Sequence, residues 1–207
     1  MFITFEGLDF CGKSTQVKLL KKYFEDQNQV VKLIREPGGV KISEKIRDIL
    51  LDTGNSEMTI ETEALLFAAS RSQLVREKIV PFLNNGFVVI SDRFHDSSIA
   101  YQGYGRGIDT QFVIDLQKFA IGNAIPTVTF FIDIPIEEVL KRKANLNSEE
   151  LDRIEVSEKE FYEKVRAGYK VLAEKEERFV TLNGLMKIEE IHNIIIDKIE
   201  SLLKEEK

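Results

Sequence analysis

The chain has little of what would place it outside a reducing, aqueous interior. It has one cysteine, Cys11, which excludes an internal disulfide and fits a reducing, cytoplasmic compartment. Its longest apolar runs, such as Phe87-Val88-Val89-Ile90, fall far short of the roughly 20 residues that span a bilayer, so no membrane association is expected. An apolar, β-prone run begins at Phe2, which leaves no room for a signal peptide. There is no basic excess. A net charge of −6 argues against a surface that coats nucleic acid, and any phosphate chemistry must use local arginines and lysines. No internal repeat or low-complexity linker divides the 207 residues, a length that suits one domain with a sizeable core.

Strand and helix patterns alternate along the chain. Phe2 to Phe5, Val30 to Ile34, Phe87 to Ser91, Val128 to Ile132 and Phe179 to Leu182 read as strands. Helical spacing covers Ser14 to Asp26 (Val17, Leu20, Phe24), Val40 to Leu51, Asp109 to Ile121, and Ile60 to Ile79 with Leu65, Leu66, Ala69 and Leu74 as its stripe. A glycine-rich stretch, Gly103 to Gly107, precedes the helix from Asp109. Strands separated by helices predict an α/β fold, a five-stranded parallel sheet flanked by α-helices on both faces. Such sheets bind ligands outside the C-terminal strand ends, where Gly7, Arg35, Asp92 and Asp133 fall.

Between the first strand and first helix lies Gly7-Leu8-Asp9-Phe10-Cys11-Gly12-Lys13-Ser14, a complete G-x-x-x-x-G-K-[ST] phosphate-binding loop. Its glycines let backbone N–H groups approach phosphate oxygens at a helix N-terminus. Lys13 reaches the β- and γ-phosphates, and the Ser14 hydroxyl can ligate Mg²⁺. Asp92 closes the third strand in the place of the carboxylate that serves Mg²⁺ in such sites. Arg93 follows it, and Arg35 ends the neighbouring strand. Two arginines at adjacent strand ends suit capture of a second anion, a phosphate monoester. They argue against a deoxynucleoside kinase, which needs a carboxylate base beside a neutral hydroxyl. A GTP-dependent switch protein would carry an N-K-x-D-type guanine-reading segment, and none is present.

Segments spread over the whole chain resemble those of thymidylate kinases, in family order: Phe5-Glu6-Gly7-Leu8-Asp9 with the phosphate loop, Arg35-Glu36-Pro37-Gly38-Gly39, Leu66-Phe67-Ala68-Ala69-Ser70-Arg71, and Leu151-Asp152-Arg153-Ile154-Glu155. The most specific is Asp92-Arg93-Phe94-His95-Asp96-Ser97-Ser98-Ile99-Ala100-Tyr101-Gln102-Gly103. The resemblance implies a phosphate-loop kinase fold with a small mobile lid at about 143–157, a homodimer, and transfer of a phosphoryl group from Mg-ATP to dTMP. Gly7, Leu8, Asp9, Phe10, Cys11, Gly12, Lys13, Ser14, Thr15 and Arg142 would bind ATP, with Mg²⁺ near Ser14 and Asp92. Phe67 and Arg71 lie four apart, on one helix face, and can stack on a planar base and donate to a carbonyl, here implied to be thymine O4. Asp9 would point away from phosphate toward the 3′-hydroxyl side of dTMP, and Tyr101 would lie under the deoxyribose. Ser98 and Gln102 would be polar contacts near the pyrimidine, and His95 would sit beside the site without a chemical role.

The acceptor implied is a phosphate monoester with second pKa near 6, already mostly a dianion at neutral pH. Catalysis then rests on positioning and charge neutralisation by Lys13, Mg²⁺, Arg93, Arg35 and a lid arginine. Asp92 orients Mg²⁺ waters or Arg93 and removes no proton. In one respect the chain departs from the family. The usual catalytic arginine sits either in the phosphate loop, where Phe10 and Cys11 stand here, or in the middle of the lid, where Asn145 to Ser148 stand. Arg142 and Arg153 remain as candidates, with Lys143 beside them. Cys11 reads as a small residue at a crowded turn.

Overall fold

The computed structural model describes residues 1–144, 151–155 and 157–205; the middle of the expected lid, 145–150 and 156, lies outside them. The strands are β1 (Phe2–Glu6), β2 (Val31–Arg35), β3 (Val88–Asp92), β4 (Val128–Asp133) and β5 (Phe179–Asn183). They form one sheet of order β2-β3-β1-β4-β5, and every pairing is parallel. Each expected strand is present, displaced by a residue at one or both ends. β2 and β3 run on to Arg35 and Asp92 themselves, so these side chains are paired strand residues in mutual register.

The central strands β1, β3 and β4 are buried almost throughout, whereas β2 and β5 are partly exposed. Strands covered on both faces read as continuous apolar runs, and edge strands do not. Alternate residues serve opposite faces. Ile3 and Phe5 pack in one buried cluster with Val17, Leu20 and Phe24 of α1 (Lys13–Asp26) and Ile195 and Ile199 of α9 (Ile188–Glu205). Phe2 and Val89 pack in another, with Leu74, Val75, Ile79, Phe94 and Ile121.

The remaining helices are α2 (Lys41–Leu51), α3 (Ile60–Leu74), α4 (Val80–Asn84), α5 (His95–Ser98), α6 (Thr110–Ile121), α7 (Ile136–Lys143) and α8 (Lys159–Lys175). Two expectations need correction. The helix expected from Ile60 to Ile79 is regular only to Leu74, then widens into a π-turn, Val75–Ile79, that runs into α4. Its stripe is also misplaced. Leu65 and Ala69 are exposed and Leu66 half-buried, while Glu63, Ala64, Phe67, Ala68, Ser70, Arg71 and Leu74 are buried. The buried face carries two charges, each with ionic partners, and hydrophobic periodicity misses such residues.

The start of the glycine-rich stretch belongs to Ile99–Gly105, a π-helical continuation of α5. A Cβ on Gly105 would come within 2.7 Å of Phe161 and Val165, and one on Gly168 within 2.7 Å of Tyr104. The two missing side chains allow α8 to lie against this segment. That contact brings Tyr169 of α8 beneath Arg93.

Candidate active site

The C-terminal ends of the central strands open into a cavity of about 450 Å³. Its walls include Asp9, Lys13, Ser14 and Thr15 of the phosphate loop and first helix, Arg35, Asp92 and Arg93 at the strand ends, and Phe67, Arg71, Ser98, Tyr101 and Gln102 from the helices. Of the expected site residues, Phe10 and Gly12 also line it. Gly7, Leu8 and Cys11 form the back of the loop, and Arg142 and Arg153 lie outside the lining.

The phosphate loop is held by backbone geometry. Gly7 has φ 137°, and a Cβ there would meet the Ile132 carbonyl oxygen at 2.5 Å, so only glycine permits the exit from β1. Gly12, at φ 103°, caps α1 without any side-chain cap, which leaves first-turn amides directed at the anion site. The Lys13 ammonium is buried and donates to the carbonyls of Gly7 (3.2 Å) and Leu8 (2.8 Å). The Ser14 hydroxyl donates to Asp92 Oδ2 at 2.7 Å. That hydroxyl–carboxylate pair fits Mg²⁺, which takes hard oxygen ligands and commonly one or two protein groups plus phosphates and water. Among the described residues no cluster of three or more metal-ligating side chains competes with it.

Arg93 is the most constrained cation in the cavity. Its backbone is left-handed (φ 69°), a conformation rare outside glycine. One guanidinium nitrogen donates to Gly7 O (2.8 Å), Ser97 Oγ (3.2 Å) and Tyr169 Oη (3.2 Å). The other donates to Asp9 Oδ1 (2.5 Å) and Tyr101 Oη (3.0 Å). Tyr101 also donates to Asp9 Oδ2 at 3.0 Å. The Asp9 charge is thus turned from the phosphate path onto Arg93. Burial opposes ionisation of Asp9, but Arg93 and Lys13 outweigh it and hold the carboxyl below the usual range. Arg35 is half-exposed and pairs with Glu44 at 3.0 Å, not with Glu36 or Asp92.

Arg71 differs from expectation. It is 1% exposed and donates to Glu36, Ser98 (2.7 Å), Gln117 (2.5 Å) and the Phe94 carbonyl (3.0 Å). All its N–H groups are engaged, so donation to a base carbonyl requires exchange of the Ser98 or Gln117 partner. The two lid-arginine candidates separate cleanly. Arg142, on α7, donates to the Phe10 carbonyl of the phosphate loop at 2.8 Å and to Glu138. Arg153 turns away: it donates to the Leu50 carbonyl at the end of α2 (2.8 Å) and to Glu63 of α3 (2.6 Å). His95 is buried off the cavity against Asp96 and Arg178.

Further lining residues have no role assigned from the sequence: Glu36, Ser97, Asp152 and Glu155, which lie in the family-like segments, and Arg47, which lies in none. Arg47 sits on α2, away from any motif, and donates to the Pro37 carbonyl at 2.9 Å. Asp152 and Glu155 sit inside a recognised segment, and burial raises the pKa of both. Tyr169 is likewise silent, being an aromatic at core spacing on a long helix.

A parallel sheet whose first turn cradles phosphate, with a hydroxyl–carboxylate pair and arginines at adjacent strand ends, defines a phosphoryl-transfer enzyme of the phosphate-loop class. A family model described as Thymidylate kinase matches residues 5–195. The chain is 45% identical over 203 residues to a thymidylate kinase of Thermoanaerobacter sp. (strain X514), covering 98% of each chain. It is 44% identical over 210 residues to one of Chlorobaculum tepidum (98% of each), and 45% identical over 214 residues to one of Chlorobium luteolum (100% of each). The chain belongs to the thymidylate kinase family. It is a phosphotransferase that works with a nucleoside triphosphate donor. No helix among the described residues is long and apolar enough to cross a membrane.

Proposed function

We propose that this enzyme transfers the γ-phosphoryl group of Mg-ATP to dTMP, giving ADP and dTDP, in the cytoplasm and as a homodimer. The observation that carries this reading is one cavity with two anion-handling sets of residues. Lys13, Ser14 and Asp92, the arginines Arg35 and Arg93, and Phe67, Arg71, Ser98, Tyr101 and Gln102 all line this one cavity. Ser14 and Asp92 would hold Mg²⁺, which would neutralise charge on the donor phosphates. Lys13 follows charge onto the transferring group, and Arg93, gripped by Asp9 and Tyr101, holds the acceptor phosphate in line. The Tyr101 ring, 6% exposed, fills the space that a ribose 2′-hydroxyl would need.

Arg142, on the Phe10 carbonyl of the phosphate loop, supplies the missing arginine. The test is ADP release measured across dTMP, dUMP, other nucleoside monophosphates, and thymidine. Turnover of dTMP well above the rest supports the assignment. Preference for thymidine would make the enzyme a nucleoside kinase, and ADP release without any acceptor would make it a nucleotide hydrolase.

A further inference from the structure

Glu6, the last residue of β1, is fully buried one residue before the phosphate loop and lies outside the cavity lining. It accepts three hydrogen bonds: Phe94 N–H to Oε1 at 2.8 Å, and the hydroxyls of Ser97 (2.6 Å) and Tyr169 (2.8 Å) to Oε2. Those same two hydroxyl oxygens accept from the Arg93 guanidinium, each at 3.2 Å. The backbone amide that Glu6 holds is the one following left-handed Arg93, whose own N–H donates to the Phe5 carbonyl (3.0 Å) and whose carbonyl accepts from Ser91 Oγ (2.6 Å).

We propose that Glu6 is a positioning residue for Arg93, acting through Ser97, Tyr169 and the Phe94 amide to aim the guanidinium at the acceptor phosphate. This rests on the reading that Arg93 serves phosphoryl transfer. The chemistry requires a carboxylate. A carboxylate accepts at both oxygens and donates nothing, so it draws hydroxyl hydrogen from the Ser97–Tyr169 pair, whose oxygens also share a hydrogen bond at 2.8 Å, and leaves lone pairs facing Arg93. A carboxamide puts a donor at one end. It must then oppose the fixed Phe94 N–H or turn the hydroxyl lone pairs from Arg93 toward itself. The other charges around Glu6 are Asp96, whose carboxylate is itself bidentate with Arg178 (2.7 and 2.8 Å), and Arg93. Burial and Asp96 push the Glu6 pKa up to about 7, against Arg93.

The test is a double-mutant cycle between Glu6→Gln and Arg93→Ala, read by single-turnover rates with dTMP and by KM for both substrates. A residue that works only through Arg93 loses its effect once Arg93 is gone. In the wild-type background Glu6→Gln is expected to lower the rate about tenfold or more, with KM for the donor nearly unchanged; in the Arg93→Ala background it should cost less than about twofold. Losses by the same factor in both backgrounds would assign Glu6 to stability alone and overturn the proposal, as would an unchanged rate in Glu6→Gln. Tyr169→Phe keeps the ring stacked on Phe131 and deletes one relay hydroxyl. If Glu6→Gln does not fold, the same cycle run with Tyr169→Phe separates the two outcomes in its place. Wild-type turnover of dTMP tests the function itself, so failure there and additivity in the cycle are separate results.

Discussion

In the phosphate loop, the Lys13 ammonium is buried and held by the Gly7 and Leu8 carbonyls, and the proposed function has it turn to the phosphates when the donor binds. Replacement by Ala is expected to lower kcat by at least about two orders of magnitude, roughly 3 kcal/mol, with little change in dTMP affinity. A variant with near-normal turnover would remove Lys13 from the chemistry. A second residue-scale expectation concerns proton linkage around Asp96. Burial holds His95 neutral, its pKa pushed from 6.5 down to about 4. An unfolded chain takes up that proton first, so His95 contributes stability that is lost as pH falls from about 6.5 toward 4.

Glu6 has the opposite sign. Its folded pKa of about 7 lies above the ordinary 4.5, so its contribution is fully present below pH 4.5 and lost as pH rises through 7. Each amounts to roughly 3 kcal/mol at most, and the two oppose one another between pH 4.5 and 6.5. Compared with wild type, His95→Asn should therefore gain stability on acidification from pH 7 to 5, and Glu6→Gln should lose it. Denaturation midpoints at pH 5, 6, 7 and 8 measure both slopes, and variant curves parallel to wild type would contradict the assignment.

At the scale of elements, the two candidate lid arginines are held by different elements, and different work is expected of them. α7 carries Arg142 onto the Phe10 carbonyl. The chain entering α8 stitches Arg153 to the end of α2, through its own N–H to Leu51 O (3.2 Å) and its side chain to Leu50 O. Arg153 also completes a cluster on buried Glu63 with Arg106 and Gln102. Arg142→Ala is expected to lower kcat by about tenfold or more with dTMP KM nearly intact. Arg153→Ala is expected to keep kcat and lower stability by about 1–2 kcal/mol, since Glu63 retains two donors. If the two phenotypes are exchanged, the lid arginine is Arg153.

The sequence alone leaves these two arginines equivalent, because it shows each one's spacing but not the carbonyls it meets. Regular elements are readable where one kind of surface is buried: β1, β3 and β4 as apolar runs, and α1 by its spacing. The stripe of α3 is not, because its buried side includes Glu63 and Arg71, held by pairing rather than by apolarity. The loop, Asp92 and Arg93 are legible as motifs. Glu6, Arg47 and Tyr169 are not, since a buried carboxylate, a helical arginine and a core tyrosine become site residues only through contacts distant in the chain.

At the scale of the molecule, the proposed homodimer would give a use to apolar residues left outside the core. Leu65 is 53% exposed on α3, and Phe112 and Phe119 are 54% and 76% exposed on α6. The two phenylalanines lie seven apart, on one face of the helix. Arg76, just beyond α3, donates to the Phe119 and Ala120 carbonyls, which ties the two elements together at that end. Single exposed apolar side chains are ordinary, but large ones gathered on adjoining helices mark a surface that is covered in use. A second copy of the chain meeting this face through a two-fold axis would bury the same phenylalanines on both partners, within the roughly 800 Å² per partner of a standard interface. Light scattering should then give a mass about twice the 23.8 kDa of the chain. The double substitution Leu65→Asp with Phe119→Asp should reduce it to the single-chain value at micromolar concentration while the circular dichroism spectrum is kept. Both side chains are solvent-facing in one chain, so the substitutions cost the isolated fold little. A wild-type mass equal to one chain across the concentration range, or a double variant that stays dimeric, would move the interface elsewhere.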